Sequence, residues 1–272
     1  MTASTRNVLR TIVGLFALLV ATSPSAGQQA APDADHELLT YFYKDPRPER
    51  LVGFLERFQD KPVAEKPGAY PALTGFLAAV CIAHPDKFAR LIPADLKPRT
   101  AAAVAAAVKF CGNERVTGVV GQTLERSPQD EKMKAALAGL PPRLSELRVT
   151  HPTHLDILWS ASFVTGTPRH VAVITDFFAQ IANQSETVAV DIAQIAVEMM
   201  GGPKGTIAQL RGKYGDDGTR RLVYASSALW ALQSNARQHV FVDQFVRKYI
   251  ADNPGTPATK ALTAMMPRGN KT

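Results

Sequence analysis

His151 and His154, with Asp156 two residues further on, are the densest cluster of chemistry-capable side chains in this 272-residue sequence. A spacing of three puts both imidazoles near one face of a helix. Neutral imidazoles bind zinc, and a nearby carboxylate can orient one of them. The segment therefore holds the residue types of a metal or acid–base site. It also has a structural reading: Pro152 suits the first position of a helix, which makes Thr150 and His151 its N-cap neighbours. A second candidate is the run Asn235, Arg237, Gln238, His239 near a helix end, where such side chains either line a polar pocket or cap the helix. His239 and Asp243 stand one turn apart, a spacing that permits a structural hydrogen-bonded pair.

Other chemistry is missing at the level of motif. The chain has no Gly-x-Ser-x-Gly, no Ser-x-x-Lys and no His-Glu-x-x-His. Arg211-Gly212-Lys213-Tyr214 lacks the earlier glycine and the hydroxyl residue of a phosphate loop, and no glycine pattern suits a dinucleotide. The expectation is no cofactor. The formal charge of +7 comes from 31 basic and 24 acidic residues, and its densest spots, Arg220-Arg221 and Arg247-Lys248, are short. A nucleic-acid binder usually shows a basic stripe or a recognisable module, so no nucleic-acid partner is expected.

The N-terminus reads as a secretory signal over residues 1–26. Arg6 and Arg10 make a basic region, Ile12 to Ala21 is apolar, and Thr22-Ser23-Pro24-Ser25-Ala26-Gly27 is small and polar. The apolar run is about half the ~20 residues of a membrane span, which favours cleavage over anchoring. The remaining chain is expected to be periplasmic or secreted, with no integral span. Export gives the two cysteines a meaning. Cys81 and Cys111 are an even pair in an oxidising compartment, and they are expected to form a disulfide. Their number rules out a cysteine zinc cluster and their spacing a Cys-x-x-Cys redox pair.

The elements that must carry these residues are helices. Apolar residues recur at helical spacing along most of the chain, and no strand–turn–strand signal appears. Tyr70 to His84 is apolar nearly all round and reads as a central helix. Pro48 to Gln59 reads as one helix, and Thr100 reads as the N-cap of the Ala- and Val-rich segment to Phe110. Glu186 to Met200 is ambiguous, because Val188, Val190 and Ile192 alternate like a strand, but its length decides for helix. Gly215 to Gly218 reads as a turn between helices 207–214 and 219–236. The class is therefore all-α, either a helical bundle or a curved array of antiparallel helix pairs with the solenoid character of TPR or HEAT repeats. The expected organisation is a flexible leader over 27–35, helical halves over 36–140 and 143–252 parted at Pro141-Pro142, and a loose tail over 253–272.

Two corners share a plan at an offset of 120 residues. Tyr43-Lys44-Asp45-Pro46-Arg47-Pro48 and Phe163-Val164-Thr165-Gly166-Thr167-Pro168 each end a helix on an aromatic and open the next with proline. Related halves and generic capping geometry both produce this. Trp159 with Phe163 to Pro168, the later Trp230 to His239, and the Phe42-Tyr43-Lys44-Asp45-Pro46 corner together resemble uncharacterised exported helical proteins of bacteria. That resemblance implies an all-helical, repeat-like fold and transfers no activity or site residue. The leading functional expectation is an exported helical module that binds a protein or peptide partner, or serves as a scaffold, in the cell envelope. An enzyme built around His151, His154 and Asp156, and a purely structural envelope component, are the rivals.

Overall fold

The computed structural model describes residues 34–128 and 131–266. The signal segment read over 1–26 lies outside the described residues. In chain order the helices are α1 (Ala34–Tyr41), α2 (Phe54–Asp60), α3 (Ala69–Ala83), α4 (Pro85–Phe88), α5 (Pro98–Cys111), α6 (Glu114–Arg126) and α7 (Glu131–Ala138). They continue as α8 (Pro152–Thr165), α9 (Arg169–Ala182), α10 (Glu186–Met199), α11 (Thr206–Ala236), α12 (Val240–Asp252) and α13 (Pro257–Met265). Short 3-10 turns fill several corners, and no strand occurs among the described residues. The fold is all-α. No helix among the described residues is long and apolar enough to cross a membrane.

Contacts divide the chain into two units: residues 1–148 with 156–166, and residues 149–155 with 167–272. Helix α8 contributes to both, its first turn to the second unit and the rest, from Asp156, to the first.

In the first unit α3 and α5 make the most extensive helix contact. Both faces suit it: α3 buries Leu73, Phe76, Leu77 and Val80, and α5 meets it with a run of buried alanines and valines small enough for close approach. Cys81 and Cys111, near the ends of these two helices, have their sulfurs 2.17 Å apart and their Cα atoms 5.8 Å apart, a disulfide distance. Gly75 of α3 lies directly against the backbone of α8: a Cβ there would come 2.0 Å from the Ile157 carbonyl oxygen. Gly166, at φ 61°, ends α8 against the Tyr43 ring, where a Cβ would meet ring carbons at 2.8 Å. The two corners that share a sequence plan thus touch at this glycine.

In the second unit α11 is the central element, packed on α9, α10 and α12. Its lower half is pinned to α10 by Asp191, a buried carboxylate whose Oδ2 accepts from Lys213 Nζ at 2.8 Å and Tyr214 Oη at 2.6 Å. The carboxylate holds the Lys213 ammonium above its ordinary pKa through that hydrogen bond.

Several local expectations change. The segment 48–59 is broken at Gly53, whose φ of 71° starts α2 afresh after a 3-10 turn. Helix α5 begins at Pro98, whose fixed φ suits the first turn, so Thr100 is buried inside the helix and does not cap it. Gly215, with φ 68° and ψ −179°, breaks α11 into two helical stretches as expected, but the break is confined to that residue, because Asp216 to Gly218 are already helical. The leader is helical from Ala34, held by Asp35 pairing with Arg57 and Lys61 at 2.8 Å each. Within the expected loose tail, Pro257–Met265 fold as α13: Thr256 caps Thr259 N–H, Pro257 takes the first helical position, and Ala258 and Leu262 are fully buried.

Candidate functional site

The imidazoles of His151 and His154 come together as the spacing predicts, with ring centroids 6.3 Å apart. Their hydrogen bonds show what they do there. His151 precedes the first helical residue, and its Nδ1 accepts from the Thr153 backbone N–H at 3.4 Å and contacts the Thr153 hydroxyl at 2.9 Å. His154 reaches back, and its Nδ1 accepts from the Thr150 backbone N–H at 3.3 Å. The two histidines form a reciprocal cap, with the logic of a capping box carried by imidazoles. A neutral imidazole that accepts at Nδ1 carries its proton on Nε2. Binding a metal at Nε2 would move that proton to Nδ1 and break the cap. The Tyr224 ring stands 6.1 Å from His151, and desolvation holds the His151 pKa below its usual value. No group of three or more His, Cys, Asp or Glu able to hold a metal occurs among the described residues.

Asp156 follows on the same helix. It keeps some solvent access, yet the protein around it desolvates its carboxyl and pushes the pKa up to about 8. The Ser160 hydroxyl, one turn on, donates to its backbone carbonyl. A carboxyl that holds its proton near neutrality has the character of a general acid. The Nδ1 atoms of His151 and His154 are both engaged in the cap.

The candidate run near the end of α11 does not converge. Asn235 and His239 are buried, Gln238 is half-buried, and Arg237 points into solvent. The Asn235 carbonyl accepts from the Gln238 and His239 N–H groups at 3.1 and 2.8 Å, which closes the helix end. Backbone groups, not these side chains, make that closure. Asp243 pairs with Arg247 at 2.8 Å.

A further feature was not singled out from sequence. An open groove of about 750 Å³ runs between α10 and α13 in the second unit. Ala189, Val190, Ala193 and Val197 line it from α10, and Ala261 and Ala264 from α13. These positions recur every three or four residues on both helices, so each presents one continuous stripe. Val190 and Val197 are 53% and 40% exposed, among the most exposed large apolar residues of the chain. At one end the Lys260 ammonium pairs with Glu186 and holds its carboxyl below the usual range.

Caps fix both walls. Ser185 Oγ accepts from Val188 N–H at 3.1 Å and starts α10. Asn183 Oδ1 accepts from Ala258 N–H at 2.9 Å, tying the end of α9 to the start of α13. The signal for this groove was present in the sequence as the strand-like alternation of Val188, Val190 and Ile192. Val188 and Ile192 face the core, whereas Val190 belongs to a second apolar face. A helix that is apolar on two faces has a second surface to cover.

No family model matches the chain, and neither a curated protein nor a solved structure does.

Proposed function

We propose that the protein is exported and works as a binding module that seats an amphipathic helix of a partner protein in the groove between α10 and α13. The observation that carries this is the pair of apolar stripes. Two helices already packed together leave a channel floored by alanines, and alanines let a third backbone approach closely. The stripe on α10 runs from Ala189 to Val197, about 12 Å at 1.5 Å per residue, which fits roughly two turns of a partner helix. A continuous exposed apolar patch of this kind marks an interaction surface. Export is supported by the basic and apolar N-terminal segment of the sequence and by the disulfide distance of Cys81 and Cys111.

The test is selection of displayed peptides against the full chain. Winning peptides should be helical, with apolar anchors at i, i+3 or i+4, and i+7, and Val190→Asp should weaken them at least tenfold. Extended or proline-rich winners, or winners indifferent to Val190→Asp, would sink the proposal. Light scattering across a concentration series covers the remaining occupant. Dimerisation abolished by Val190→Asp would reassign the groove to a second copy of this chain.

A further inference from the structure

The two stretches of α11 are held in different ways. From Leu222 to Ala236 nearly every side chain is buried. Along 206–214 Leu210 is buried, and the other side chains are half-buried or exposed. The hold on this first stretch is polar at both ends and comes from α10. Glu198 Oε2 accepts from the Ile207 N–H at 3.3 Å, and Asp191 accepts from Lys213 and Tyr214. Asp191 and Glu198 stand seven residues apart, two turns along one face of α10. The stretch therefore lies antiparallel along α10 with a carboxylate clamping each end. Glycines bound it. Gly205 has φ 112°, and Gly215 combines φ 68° with ψ −179°, a region essentially reserved for glycine. A Cβ at either would meet nothing within 4 Å, so no neighbour crowds these joints on that side. Thr206, the first residue of the stretch, lines the groove between α10 and α13, and the Glu198 contact sets it at the Val197 end. Met200, three residues beyond Val197 and 41% exposed, continues the α10 stripe past that end.

We propose that residues 206–214 form a hinged flap that closes the Val197 end of the groove. Clamped, it limits the groove to about two turns of helix. Released, it lets a longer helix run on over Met200. The identity of that occupant rests on the reading of the groove given above; the motion of the flap does not. Release exchanges polar contacts for water and uncovers one core side chain, so it is a local opening and leaves the rest of the unit folded. The two glycine joints absorb the rotation, as a few residues do in closing lids. The buried second stretch of α11 is the fixed frame.

The test uses the full chain with Cys81 and Cys111 left paired. Spin labels on Thr187→Cys and Gln209→Cys, both exposed, report the distance from flap to α10 by pulsed electron resonance. Asp191→Ala removes one clamp, and Lys213→Gln with Tyr214→Phe removes it from the other side. Each should add a displaced population at least fivefold larger than in the wild-type background. Amides of 207–214 should then exchange at least tenfold faster as a group, while those of 222–232 keep their rates. Release should also raise the maleimide reactivity of Val197→Cys at least threefold and leave that of Val190→Cys unchanged. An unchanged distance distribution in a folded clamp variant, or equal quickening of 222–232, would overturn the flap. A Val197→Cys rate that stays level would overturn its hold on the groove. The wild type decides the matter if the variants do not fold: its 207–214 amides should exchange as one group, at least tenfold faster than 222–232, and equal rates would overturn the proposal. None of these readouts needs a bound peptide, so failure to select a helical partner counts against the groove's proposed function alone.

Discussion

Replacing glycine by alanine should have opposite effects at two places in the same unit. Alanine is favoured over glycine inside a helix by about 1 kcal/mol. Gly118 and Gly121 lie within α6, and a Cβ on either meets nothing within 4 Å. Gly118→Ala and Gly121→Ala should each raise stability by roughly 0.5–1 kcal/mol. Gly75 lies within α3 and is buried. There the new carbon would sit 2.0 Å from the Ile157 oxygen and 2.7 Å from its Cα and carbonyl carbon, where ordinary contact begins at 3.4 Å. These are backbone atoms, so no rotamer change relieves the clash, and α8 must retreat by more than an ångström. Overpacking of a core costs about 1–3 kcal/mol and occasionally more, and rigid backbone belongs at the upper end. After the helix-propensity gain, Gly75→Ala should lose about 2 kcal/mol or more. With a urea slope of about 1–3 kcal/mol/M, that lowers the midpoint by roughly 1 M. The assay is urea unfolding of the full chain followed by helical circular dichroism and by Trp159 fluorescence, since Trp159 lies in the first unit. A Gly75→Ala midpoint at or above wild type would refute the close approach of α3 and α8. A fall for Gly118→Ala would refute the open surface of α6.

Three further outcomes follow from the same geometry. Replacing both Cys81 and Cys111 by alanine releases a loop of 30 residues and should cost roughly 3–4 kcal/mol on the chain-entropy account, read as a lower urea midpoint. His170 and Asp156 should give the two units opposite pH responses. Burial, helped by Arg169, holds the His170 pKa down to about 4, so its stabilising contribution is complete above pH ~6.5 and is lost as pH falls toward 4, by about 3 kcal/mol in all. The Asp156 pKa is raised to about 8, so its contribution is complete below pH ~4 and fades as pH rises to 8; Asp156→Asn should stabilise the first unit by at least ~1 kcal/mol at pH 8. The chain's two tryptophans, Trp159 and Trp230, fall one in each unit, so Trp230→Phe and Trp159→Phe backgrounds report the two responses separately; slopes of the same sign would contradict this. Finally, His151→Ala should cost about 1 kcal/mol and speed hydrogen exchange at the Thr153 amide, whereas His151→Asn should restore most of the protection; equal exchange in all three proteins would exclude a capping role.

The helical class was legible because apolar spacing near 3.6 recurs in almost every segment. The cysteine pairing was legible because both cysteines fall near helix ends that α3 and α5 bring together. The histidine cap was legible too: Pro152 fixes where the helix starts, and position then dictates which N–H groups His151 and His154 can reach. What escaped the sequence depended on tertiary partners. Thr256-Pro257 spells a helix start, but a nine-residue helix is marginal alone, and α13 exists because Ala258 and Leu262 find a core. Gly215 spells a turn and does break the helix, but the break is one residue long, and the sequence alone did not show that Asp216 to Gly218 would already be helical. The polar run at 235–239 looked like a cluster only on paper, since α11 ends at Ala236 and Arg237, in the turn that follows, is exposed while Asn235 and His239 are buried. The groove was hidden for a related reason, because one sequence stripe on α10 supplies only one of its two walls.

The sharing of α8 between the units bears on how the chain reaches its native state. The first unit closes only when residues 156–166 join it, after the chain has run through the first turn of α8 that belongs to the other unit. The contact of Gly75 with Ile157 therefore joins residues far apart in the chain, and a fragment ending before residue 156 lacks part of that unit's core. Until then the face of α3 around Gly75 must wait uncovered. Making that contact closes a long loop, whose entropy cost grows only slowly with its length.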